Sequence, residues 1–104
     1  MKTFNEFQTW ACDAWFGPKD NSLVIPALGV AGEAGEVADK VKKVQRGDNV
    51  DPKSIAVEIS DVLFYCAILA DRLGWTLAEV AQMQVDKING RIERGTRRGE
   101  GDSR

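Results

Sequence analysis

Four acidic side chains stand out by type and spacing: Glu33 and Glu36 in GEAGEVADKVKK, and Glu58 and Asp61 in EISDVLFYCAILADRLG. Each pair follows the pattern acid-x-x-acid. In a helix that spacing puts both carboxylates on one face, ~4.5 Å apart along the axis. At ~100° per residue, with Glu33 at zero, Glu36 falls at ~300°, and Val30, Val37, Val41 and Val44 fall between ~20° and ~80°. With Glu58 at zero, Asp61 falls at ~300°, and Ile55, Val62, Cys66, Leu69 and Leu73 fall between ~20° and ~80°. Both pairs therefore occupy the same margin of the same kind of apolar stripe. Two antiparallel helices packed along those stripes, with axes ~8–10 Å apart, bring the carboxylates to one rim. Carboxylates that close repel and raise one another's pKa values. Bound divalent cations relieve the repulsion. Hard oxygen ligands without His or Cys among them select Mg2+ or Mn2+ over zinc.

An ordinary solvated face competes with that reading. A single E-x-x-E is common, and Glu36 can pair with Lys40 one turn on for ~0.2–0.5 kcal/mol. The second pair offers no such escape on its own helix. Asp61 has Phe64 and Tyr65 at the next turn, and Glu58 has Asp61 and Val62. Two matched pairs, the second with no basic neighbour at helical spacing, make the joint signal stronger than either pair.

Composition narrows the chemistry further. The chain has no histidine, which removes the usual general base, His-based zinc sites and Ser-His or Cys-His nucleophile pairs. Cys12 and Cys66 lie within apolar patterns and read as reduced core thiols. Carboxylates, metal, lysine or tyrosine must carry any reaction.

Glycine and proline divide the chain into four helical segments. Thr3 and Glu6 match a capping box ahead of Phe4, Phe7, Ala11, Ala14 and Trp15. GPKDNS ends that segment. A second helix is expected from about Pro26 to Arg46, stopped by Gly47. Asp51-Pro52 reads as a cap and first helical position for a third helix reaching about Leu73. Thr76 and Glu79 form a second capping box, opening a helix whose apolar face is Leu77, Ala81, Val85, Ile88 and Ile92. The expected fold is all-α, an antiparallel four-helix bundle-like protomer, with one domain over residues 1–93 and a flexible tail over 94–104.

At 104 residues, 43% hydrophobic and 29% charged with a net charge of −2, the chain shows nothing that favours polymeric nucleic acid or an anionic membrane. No apolar run approaches the ~20 residues that span a bilayer. The opening MKTFNEF lacks a signal-peptide core, so the expected location is cytoplasmic.

GVAGEAGEVADKVKKVQRG followed by EISDVLFYCAILADRLG resembles the MazG-like, all-α nucleoside triphosphate pyrophosphohydrolases, whose signature is E-x-x-E, a spacer, then E-x-x-D. The resemblance runs from the aromatic first helix to KINGR. It implies hydrolysis of a (deoxy)nucleoside triphosphate to monophosphate and pyrophosphate. It implies two or three Mg2+ or Mn2+ ions held by Glu33, Glu36, Glu58 and Asp61. It leaves a carboxylate to take the proton, with Glu36 the candidate, unless all four acids serve as ligands. Relatives assemble as dimers or dimers of dimers, so a homodimer or homotetramer is expected. Family breadth points to a purine substrate such as (d)GTP. The opposing class is a non-catalytic helical interaction or regulatory module whose acids merely solvate the bundle.

Other positions carry paired readings. Tyr65, on the acids' side one turn after Asp61, is a substrate contact or a half-buried bundle tyrosine. Lys87 and Arg91 resemble the family's phosphate ligands and equally a solvated pair. Asn89, on the apolar margin of the fourth helix, can bind phosphate or cap a water. Asp86 is a lesser metal candidate. Lys40 lies in angle between Glu33 and Glu36, so it neutralises them or touches phosphate. Trp10 and Gln8 flank the first helix's stripe and are candidates to hold the base, whereas Trp15 fits the core.

Overall fold

The computed structural model describes residues 1–95 of the chain. Their order is α1 (Phe4–Ala14), α2 (Val24–Gln45), α3 (Pro52–Arg72) and α4 (Leu77–Arg94), and among the described residues there is no strand. The local signals set most of these boundaries. Thr3 Oγ1 accepts the Glu6 N–H at 3.0 Å, although Glu6 Oε1 reaches back to the Lys2 N–H, so only half of the expected box forms. Asp51 caps α3 through the Lys53 N–H, with Pro52 at the first helical position. The Thr76–Glu79 box is complete. Helix α2 begins earlier than its proline suggested. Ser22 Oγ accepts the Val24 N–H, and Pro26 fits within the first turn, where its missing donor costs nothing. Gly47 and Gly74 take positive φ, 94° and 87°, to end α2 and α3. Gly95 closes α4, and residues 96–104, the greater part of the expected tail, lie outside the described residues.

Helices α2 and α3 form an antiparallel hairpin. Lys40 meets Ser54 and Glu58, Glu33 meets Glu58 and Asp61, and Gly29 meets Tyr65. Helix α1 crosses the C-terminal half of α3, where Ala11, Ala67 and Ala70 allow close approach around Trp15, Ile68 and Leu77. Phe7, Cys12, Phe64 and Tyr65 pack around that core. Gln8 stitches the junction. Its Nε2 donates to Ala67 O and Trp75 O, and its Oε1 accepts the Leu77 N–H at 3.0 Å. Arg72 lies over the Trp15 ring and donates to Pro18 O and Ser22 O, fastening the connection between α1 and α2.

The protomer is open. Helix α4 packs on α1 and α3 but, among the described residues, not on α2. The radius of gyration is 16.2 Å, against the ~13 Å of a compact chain this long. The apolar stripes outrun their contacts. Val30 and Val37 are half-buried, yet Val41 and Val44 are exposed. On α4 Leu77 is buried, while Val85 and Ile92 are exposed. No described helix is long and apolar enough to cross a membrane.

Candidate metal centre

The hairpin register decides what the acids do. Glu33 from α2 and Glu58 and Asp61 from α3 each place a carboxylate oxygen within 4.8 Å of the others. All three side chains are half-buried. Glu36 is exposed and stands outside that set, although its charge still reaches Glu33. The structure thus gathers three of the four expected acids into one cluster, with the fourth beside it.

Electrostatics at the cluster follow from this placement. Partial withdrawal from water, then the charges of Asp61, Glu58 and Glu36, push the Glu33 carboxyl above the usual range. By contrast Asp39, two turns below Glu33 on α2, bonds to Lys43 and Lys42, which hold its carboxyl below the usual range. The donor set is oxygen-only. Carboxylates at this separation could hold a hard divalent cation, which would offset the mutual repulsion that raises Glu33.

Lys40 corrects two expectations. It does not pair with Glu36 one turn away. It reaches across the hairpin, its Nζ 3.6 Å from Glu58 Oε1 and donating to Ser54 O at 3.4 Å. Glu58 therefore has a basic partner that spacing along its own helix could not reveal. The antiparallel register supplies the signal: with Glu33 opposite Asp61, a residue two turns further along α2 falls opposite the first turns of α3.

Tyr65 is half-buried and lies directly against Gly29, one turn before Glu33. Its ring is edge-on to Trp15 and Phe64, with centroids 6.1 and 5.6 Å away. Gly29 leaves the space that the ring fills, a role that helical spacing alone does not reveal. Trp15 is buried and its indole N–H donates to Pro18 O, as a core residue would. Trp10 sits between Phe7 and Phe64 and is 52% exposed, leaving ring surface free. Gln8 is used otherwise than expected: it is buried, and its amide is committed to bracing α1 against α3 and α4.

The candidates on α4 are not brought to the acids by any ion pair or hydrogen bond. Lys87 and Asn89 are exposed. Asp86 accepts from Gln82. Arg91 is half-buried, and its Nε–H is shielded from solvent without an acceptor. Cys12 and Cys66 are free thiols. Burial pushes both up, with Asp71 adding to the effect at Cys12, so neither is an activated nucleophile.

Comparison with known proteins agrees with the geometry. The family profile of the MazG nucleotide pyrophosphohydrolase domain matches residues 25–96, a span that takes in the whole acid cluster. The gene 37 protein of Mycobacterium phage L5 is 40% identical over 87 residues, covering 79% of this chain and 76% of that protein. No solved structure matches the chain.

Proposed function

The chain belongs to the MazG nucleotide pyrophosphohydrolase domain family, and from that premise we propose that it hydrolyses a (deoxy)nucleoside triphosphate to the monophosphate and pyrophosphate. The observation that carries the reading is the meeting of Glu33, Glu58 and Asp61 from two helices within 4.8 Å. These side chains would hold Mg2+ or Mn2+, two or three ions with Glu36 included. Such cations, when bound, neutralise triphosphate charge and activate water for attack at the α-phosphorus. Glu36, exposed beside the cluster, is the candidate proton acceptor in a chain without histidine.

Other side chains have supporting roles. Tyr65, packed against Gly29 one turn before Glu33, would offer its hydroxyl to sugar or phosphate. The free surface of Trp10 offers stacking area to a base, and the breadth of the family suggests a purine such as that of (d)GTP. Lys87, Asn89 and Arg91 are the phosphate ligands in this reading. The exposed apolar side chains, among them Leu28, Val41 and Val85, support assembly as a homodimer or a dimer of dimers. A second copy would then complete the base pocket with its own α1.

The test is incubation with each of the eight common nucleoside triphosphates and Mg2+ or Mn2+, with products separated by chromatography. Monophosphate and pyrophosphate are expected. Release of diphosphate and phosphate would contradict the proposed point of attack. Glu58→Gln and Asp61→Asn should abolish turnover with helicity unchanged. The rival reading, an interaction module, draws on the same exposed apolar surface. It predicts melting curves that Mn2+ and EDTA leave identical, whereas a metal bound to the native cluster raises the midpoint.

A further inference from the structure

The cross-hairpin contact of Lys40 goes beyond the family signature. Lys40 follows Glu33 by two helical turns, so it projects from the same face of α2. Its ammonium lies 3.6 Å from Glu58 Oε1 and 3.4 Å from Ser54 O. Both contacts are long, so the ammonium is held by charge rather than by short directed bonds. The Glu58 side chain is only 15% exposed, so this ion pair is sheltered, yet Lys40 retains 29% exposure and a route to solvent. Lysine is a compact point charge on a flexible stem, able to exchange one anionic partner for another without backbone motion.

We propose that Lys40 is the resting counter-ion of the acid cluster, and that a divalent cation must displace it from Glu58 in order to bind. This rests on the metal reading given above. A tethered ammonium at one of the cluster's carboxylates opposes an incoming cation by like-charge repulsion and by occupying its ligand. Metal uptake by the free protein is therefore weaker than the bare acids would give. When Glu58 turns to the metal, the ammonium loses its anion and regains one only when a triphosphate oxygen arrives. Metal and nucleotide binding are thus coupled through a shared side chain, each strengthening the other.

The experiment is Mn2+ titration of the full chain, read by the electron paramagnetic resonance signal of free Mn2+, with and without a non-hydrolysable nucleoside triphosphate analogue. Lys40→Met and Lys40→Gln should bind Mn2+ alone about tenfold more tightly than the parent, as expected for removal of a unit charge a few ångströms away. Lys40→Arg should stay near the parent. The analogue should tighten Mn2+ binding by a larger factor in the parent than in Lys40→Met. Equal or weaker Mn2+ binding in both Met and Gln variants would overturn the proposal, since it would mean that Lys40 merely holds Glu58 in place. If the parent itself binds no Mn2+, the metal reading falls and this proposal with it. If the parent binds Mn2+ and Lys40 has no effect, only the latter is lost.

Discussion

Alanine at Gly29 should cost stability that alanine at Gly32 or Gly35 does not. All three glycines lie in α2, where Gly→Ala gains ~0.8–1 kcal/mol from helix propensity alone. At Gly32 and Gly35 an added Cβ meets nothing within 4 Å. At Gly29 it would lie 2.3 to 2.5 Å from three ring carbons of Tyr65. Ordinary carbon contacts are ~3.5–4.0 Å, so the ring must retreat by roughly 1–1.5 Å. It has little room, because Trp15 and Phe64 stand against it. Overpacking of this kind costs ~1–3 kcal/mol. After the propensity gain, Gly29→Ala should lose up to about 2 kcal/mol, while Gly32→Ala and Gly35→Ala gain up to ~1 kcal/mol. For a domain this small each kcal/mol moves the melting midpoint by ~4–8 °C. Urea melts in EDTA at two protein concentrations would measure the differences. If a second copy covers Gly32 and Gly35, their alanine variants should lose their advantage as concentration rises. A Gly29→Ala variant as stable as Gly32→Ala at both concentrations would refute the packing argument.

The raised Glu33 carboxyl predicts a pH dependence in the metal-free protein. Between its ordinary value of 4.5 and its raised one, the folded state binds the proton more readily than the unfolded chain. Stability in EDTA should therefore increase as pH falls through that window, and decrease as pH rises through the folded-state value. Glu33→Gln should flatten this slope, and a slope unchanged in that variant would remove Glu33 as its cause. Below the window the depressed carboxyls of Asp39 and Glu79 are protonated in turn, and stability should fall again. Gln8→Leu should destabilise by about 2–4 kcal/mol, since it leaves the Leu77 N–H and the Trp75 carbonyl without their partner. A loss below ~1 kcal/mol in denaturant melts would show that water replaces the amide.

What could be read from the sequence was local or periodic. Asp51-Pro52 and Thr76–Glu79 mark helix starts through contacts within one turn, and both start where the residues indicate. The acids share a margin of their stripes because angle along a helix is fixed by residue count, and the hairpin needs only to be antiparallel to bring Glu33 to Glu58 and Asp61. Contacts across the gap between α2 and α3 leave no trace in the spacing along either helix. Spacing along α2 allows Lys40 to pair with Glu36 and offers Glu58 no base on its own helix, whereas the register pairs Lys40 with Glu58. Gln8 was ambiguous for a related reason. A polar side chain on the flank of a stripe looks the same whether it faces a ligand or, as here, the end of α3 and the start of α4.

Glu33, Glu58 and Asp61 all belong to one hairpin closed by the connection between Gln45 and Pro52, so the acid cluster is built from two consecutive helices alone. Loop-closure entropy grows only slowly with chain length, and a closure this short adds little to the barrier. The acid cluster can therefore assemble ahead of the docking of α1, which calls for contacts between distant parts of the polypeptide such as Asn5 with Ala78. If the cluster takes up metal as proposed, refolding begun in Mn2+ should then proceed faster than in chelator, the ion acting as a template for the turn rather than as a late addition to a finished protein.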